Sequence, residues 1–180
     1  MATIKLQNQN LVLDTPKTVL TVNTASGASS LTVKNITGFD VNQVLILENL
    51  GNEGAELVVV DSGTVPSDST ITLTGTTVFP HSASVSVRVI QYDQVEFSSA
   101  DSITGTKSVL TTIPLQADSL TTNYIDNSVT TGYYFGRFYN SITSTYSSYS
   151  SPIPVDGYGI LSARSVIDAA LGEINKQTSE

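Results

Sequence analysis

The chain has 180 residues, enough to bury a sizeable core as one domain or two small ones, and only 13% of them are charged. With 8 Lys and Arg against 16 Asp and Glu the net charge is -8 and the pI is near 4.4, a balance that repels phosphate backbones and anionic headgroups and argues against direct nucleic-acid or membrane binding. Cysteine is absent, which excludes disulfides, thiolate metal sites, iron–sulfur clusters and thiol nucleophiles. No apolar run approaches the ~20 residues of a membrane span. The start, Met1-Ala2-Thr3-Ile4-Lys5-Leu6 followed by Gln7-Asn8-Gln9-Asn10, lacks the pattern of a secretory signal, so the expectation is a soluble protein made in a cytoplasm. Abundant Ser, Thr and β-branched residues predict a mainly β fold.

In chain order, residues 1–16 alternate weakly, with Ile4, Leu6, Leu11 and Leu13 set around an amide-rich middle and a stop at Thr15-Pro16. They carry too little apolar mass to fold alone. Two readings are open: an arm that adds a strand to a neighbouring subunit and buries those four residues there, or a frayed terminus.

From Lys17 to Phe97, short apolar or alternating runs are separated by turn residues, and roughly five to seven strands are predicted, as in a small barrel or sandwich. Val44 to Glu48 and Glu56 to Val60 form the arms of a hairpin, with a tight turn at Gly51 to Gly54 whose glycines supply positive φ. Asn35-Ile36-Thr37-Gly38-Phe39 is a turn over an aromatic plug. Val85, Val87 and Val89 alternate before a further strand, Tyr92-Asp93-Gln94-Val95-Glu96-Phe97.

The order Leu31-Thr32-Val33, Thr37-Gly38-Phe39, Ile46 to Val60 with its Gly51-Asn52-Glu53-Gly54-Ala55-Glu56 turn, Phe79-Pro80-His81-Ser82, Val85 to Val89 and Tyr92 to Phe97 resembles a small β-barrel-like module of tailed-bacteriophage virion structural proteins. The resemblance covers roughly the first half of the chain, implies that the Tyr92 to Phe97 strand closes the unit, and contains no reactive residue, so it implies assembly rather than chemistry.

After Phe97 comes a polar linker, Ser98-Ser99-Ala100-Asp101-Ser102, and then strands richer in Tyr over 107–113, 133–139 and 145–149. Alternation puts Tyr133, Phe135, Arg137 and Tyr139 on one face and Tyr134, Gly136 and Phe138 on the other. Gly132 to Ser141 followed by Thr145 to Ser150 resembles the closing hairpin of a fibronectin type III-like sandwich. Two departures stand out: the chain has no Trp, and residues 98–155 are too few for a full seven-stranded sandwich, so the resemblance implies a reduced Ig-like unit. Tyr134, Phe135 and Phe138 suit core filling, whereas Tyr146 and Tyr149, in a Ser-rich run, suit contact with a partner, either glycan or protein.

Residues 156–180 form a tether and a helix that Ser162 can cap, its apolar stripe including Val166, Ile167, Ala170, Leu171 and Ile174. Such a helix must dock, either on its own domain or on a neighbouring subunit.

Chemistry is sparse. One His and no Cys exclude zinc in its usual ligand sets. Calcium at Glu48, Asn49, Asn52, Glu53 and Glu56 fits no calcium-loop spacing, and exposed turn polarity accounts for those residues. His81 sits in a strand-end turn without a Gly-x-Ser-x-Gly elbow and is a structural histidine. Asp93 and Glu96 point to opposite faces of a strand, and Gly51 to Gly54 lacks the Lys of a phosphate loop. No catalytic residue, cofactor or metal is expected.

The whole predicts a small β-barrel or sandwich docking module (17–97), a Tyr-rich Ig or fibronectin III-like module (98–155) and a C-terminal α-helix. The function expected is a non-enzymatic, homo-oligomeric virion subunit synthesised in the host cytoplasm, whose partners are portal, neck, tail or capsid subunits. Carbohydrate binding or adhesion through the Tyr tract is the alternative.

Overall fold

Val44-Leu45-Ile46-Leu47 has no polar position, and a strand apolar at every residue needs cover on both faces. That requirement organises the molecule. The computed structural model describes residues 2–8 and 15–155. Its strands are β1 (Ala2–Gln7), β2 (Lys17–Val19), β3 (Ser30–Thr32), β4 (Val44–Leu47), β5 (Glu56–Val59), β6 (Thr70–Thr72) and β7 (Ser86–Ile90), then β8 (Gln94–Ala100), β9 (Ser108–Pro114), β10 (Thr121–Asp126), β11 (Tyr133–Asn140), β12 (Thr145–Tyr146) and β13 (Ile153–Pro154). The fold is mainly β. All four residues of β4 are buried. Leu45 and Leu47 enter one core with Leu31, Val60, Ile71 and Val87. Val44 faces the other way, into a second core with Ile4, Ile90, Phe97 and Tyr134, and Ile46 packs on Ala55 and Ala117.

The first core lies between a four-stranded sheet of order β2-β7-β4-β5 and the β3-β6 pair. Leu20↔Val33 and Val60↔Leu73 are single bridges that tie the two sheets at their corners. Strands of three or four residues end before those bridges extend into ladders, so both sheets stay open and, of the barrel or sandwich expected, a barrel does not form. The expected hairpin forms as β4–β5, with the register Val44↔Val59 through Leu47↔Glu56. Its turn differs from the expectation. The connection spans 48–55, Gly51 (φ 89) and Glu48 (φ 69) take the left-handed region, and Gly54 does not. Gly51 rather than Gly54 is the sterically required glycine, since a Cβ there would also meet Leu120 at 3.1 Å.

The second core lies between a sheet of order β12-β11-β8-β9, with β13 also on β11, and the β1-β10 pair. Two sequence expectations are corrected here. β8 does not close the first unit; it pairs antiparallel with β9 and β11, because Val95 and Phe97 belong to the second core, where Phe97 stacks on Tyr124 at 5.7 Å. β8, expected as the last strand of the 17–97 module, is thus paired with strands that follow it in the chain. Nor are residues 2–8 an unpaired arm: β1 pairs with β10 of its own chain from Ala2↔Asp126 to Gln7↔Thr121. β8 and β1 thus join the strands that follow Phe97 around this core.

Candidate functional site

Alternation along β11 divides its side chains as expected. Inward, Tyr134 is buried and Gly136 faces Leu6, a Cβ there standing at about contact distance, 3.4 Å, from the Leu6 methyls. Tyr134 donates its hydroxyl proton to Asp126 Oδ2 at 2.7 Å. Burial raises the Asp126 carboxyl, but hydrogen bonds from the Ser128 and Tyr134 hydroxyls and from the Val129 and Ser128 amides outweigh it and hold the pKa at about 2 against an ordinary 3.8. Burial, then the bond to Asp126, pushes the Tyr134 phenol above its ordinary 10.0.

A carboxylate with a depressed folded-state pKa stabilises the fold above its unfolded value and loses that contribution as pH falls through the folded one. Asp126→Asn should therefore be less stable than wild type near neutrality, and the gap should close by about 2 kcal/mol, mostly as pH falls from 3.8 to 2. Urea denaturation of both proteins across that range checks it; a gap independent of pH would contradict the anchor.

Outward, Arg137 stands directly across from Glu96 of β8, and its Nε donates to Glu96 Oε1 at 2.7 Å. Glu96 is 4% exposed, so the pair is desolvated on the acidic side. The guanidinium carbon lies 3.8 Å from the ring centroid of Tyr146 and 4.5 Å from that of Tyr149. Tyr146 also stacks on its cross-strand partner Tyr139 at 4.5 Å. Beside this group Lys107 lies 4.6 Å from the Phe135 centroid and donates to the carbonyls of Ile103 and Gly105. The result is a cationic, aromatic surface in which Tyr146 is 45% exposed and Tyr149 half-buried.

The other expected interface residues fare differently. Ile4 is 4% exposed in this chain's own core and Leu6 is half-buried beside it, so neither is open to a neighbour. Leu11, Leu13, Val166, Ile167, Ala170, Leu171 and Ile174, and with them the C-terminal helix, lie outside the described residues. The residues that sequence reasoning missed are Glu96 and Arg137. The sequence signal available was a buried-strand acid and a basic residue among tyrosines, whose register only pairing reveals.

His81 is buried between two carboxylates, Nε2 at 2.7 Å from Glu56 and Nδ1 at 3.3 Å from Glu48. Its amide and carbonyl both pair with Thr24. Every hydrogen-bonding group of this histidine is thereby engaged in holding structure. Among the described residues no group of three or more His, Cys, Asp or Glu is placed to hold a metal ion. Compared with known proteins, the chain matches no family model, no curated protein and no solved structure.

Proposed function

We propose that this chain is a non-enzymatic structural subunit of a tailed-phage particle, assembling in repeated copies at the neck, head–tail junction or tail, or as capsid decoration. Its Tyr146 face then meets other virion proteins, such as portal, neck, tail or capsid subunits. The virion type comes from the resemblance of residues 31–97 to phage modules, and the reduced Ig-like type of the second unit from its closing hairpin.

The observation that carries a binding role for this face is that an exposed aromatic is already held in place. Arg137 is fixed by Glu96 and lies against Tyr146, so little side-chain freedom remains to be lost on contact. Tyr and Arg are also the residues most often found to dominate protein contacts. A protein partner is favoured over a sugar because the ring face of Tyr146 that stacks on Tyr139 is not open for stacking.

Tyr146→Ser tests this without disturbing the Glu96–Arg137 pair, whereas Arg137→Ala would leave a buried carboxylate uncompensated and damage the fold. The variant should stay folded, melting only somewhat below wild type for loss of the Tyr139 and Arg137 contacts, yet co-purify about tenfold more weakly with portal, neck, tail or capsid proteins, or enter rings correspondingly less. A wild-type chain that stays monomeric beside all of them and binds a glycan array would replace assembly with carbohydrate binding.

A further inference from the structure

β2 and β7 pair so that Lys17 stands directly opposite Arg88 and both project from the same face of the sheet. Like charges in that relation oppose pairing rather than support it. A third cation joins them, because the Lys34 amide donates to the Val19 carbonyl at 2.9 Å and brings that residue alongside β2. Three of the 8 basic residues of a chain with net charge -8 thus line one open groove of about 790 Å³. Asn35, Asn49 and Ser86 also line it, and no Asp or Glu does. The second core covers the outer face of the first sheet at Val44, Leu57, Val59 and Ile90, the last of them two residues beyond Arg88 on β7.

The charged ends of the groove's three cations form no ion pair among the described residues. The ion pairs among the described residues join His81 to Glu48 and Glu56 and Arg137 to Glu96, none of them in the groove. Glu48, the acid next in chain to Asn49, turns its carboxylate to His81. Arg88 uses Nε on Ser86 Oγ at 3.2 Å, and no hydrogen bond among the described residues engages its terminal nitrogens. Asn35 accepts the Thr37 amide on Oδ1, which leaves its Nδ2 as the free, donating end.

We infer that this groove binds a short ligand bearing clustered oxyanion groups of the phosphate type. A guanidinium fork with two ammonium groups and side-chain amides matches adjacent phosphate groups, and such charge-assisted bonds are the stronger kind. Length is limited by the rest of the molecule, whose net negative charge repels an extended phosphate backbone. The inference does not depend on the assembly role proposed above.

Inorganic tripolyphosphate is the probe, titrated calorimetrically at low ionic strength into wild type, Lys17→Gln, Arg88→Gln and, as a control for overall charge, Lys5→Gln on β1. Wild type should bind and be protected against thermal unfolding. Lys17→Gln and Arg88→Gln should each bind about tenfold more weakly, with Lys5→Gln unchanged. Lys17→Gln should melt no lower than wild type, since it removes a like-charge pair, so its lost affinity cannot come from misfolding. No binding by wild type, or equal losses in all three variants, would overturn the site. Tighter binding of a single-stranded oligonucleotide than of tripolyphosphate would overturn the short-ligand assignment.

Discussion

Glu56→Ala is expected to lower the free energy of unfolding by about 3 kcal/mol, a large effect for a residue at a strand start. Glu56 is 7% exposed and accepts three hydrogen bonds: the Val78 amide at 2.7 Å, the Phe79 amide at 3.1 Å and His81 Nε2 at 2.7 Å. Truncation strands the His81 ring, whose side chain has no exposed surface, beside a cavity. It also releases the 76–81 segment, which carries the exposed side chains of Val78 and Phe79 and pairs with the 24–28 turn through Thr24 and Gly27. Glu56→Gln keeps an acceptor and should cost about half as much. Urea midpoints for the two variants make the comparison; equal midpoints for Glu56→Ala and wild type would show that the carboxylate is not what pins this segment.

Such a role was hard to see in the sequence, where Glu56 stands among the polar residues of a turn and His81 among those of another. Their meeting depends on residues 25 positions apart. What was legible is what a segment carries within itself. Val44 to Glu48 and Glu56 to Val60 announced a hairpin by their apolar density, and the β11 alternation separated Tyr134 and Phe138 from Phe135, Arg137 and Tyr139 as the fold does. Pairing partners were not legible, because a strand's own residues show which face is apolar and not which edge will accept it. Phe97 looked like the last residue of one core and is a central residue of the other. The basic groove has the same origin: Lys17, Lys34 and Arg88 are scattered in sequence, and only the β2–β7 register and the Lys34 backbone bond gather them.

The largest effect is expected from deleting residues 2–8. Sparse apolar positions over residues 1–16 suggested a segment that its own body could not hold, and on that view deleting residues 2–14 leaves a folded monomer that no longer assembles. The structure reverses the expectation, since the deletion removes the whole β1–β10 ladder, takes Ile4 out of the second core and uncovers Gly136 where Leu6 packs. The least obvious loss is Asn8, which has no exposed surface. Its side chain donates to the Gln116 and Ser119 carbonyls and accepts from the buried Thr122 hydroxyl, while its amide bonds the Leu120 carbonyl at 2.9 Å. A polar side chain, invisible to any apolar pattern, therefore fastens the end of the strand. Losing these contacts together should cost on the order of 5 kcal/mol, enough to unfold the second unit of a marginally stable chain. In full-length monomer the β1 amides should exchange slowly, at rates near those of β10. If those amides exchange freely in a verified monomer and the truncated chain melts at the wild-type temperature, β1 is not held by its own chain, and pairing with a neighbouring subunit becomes the correct account.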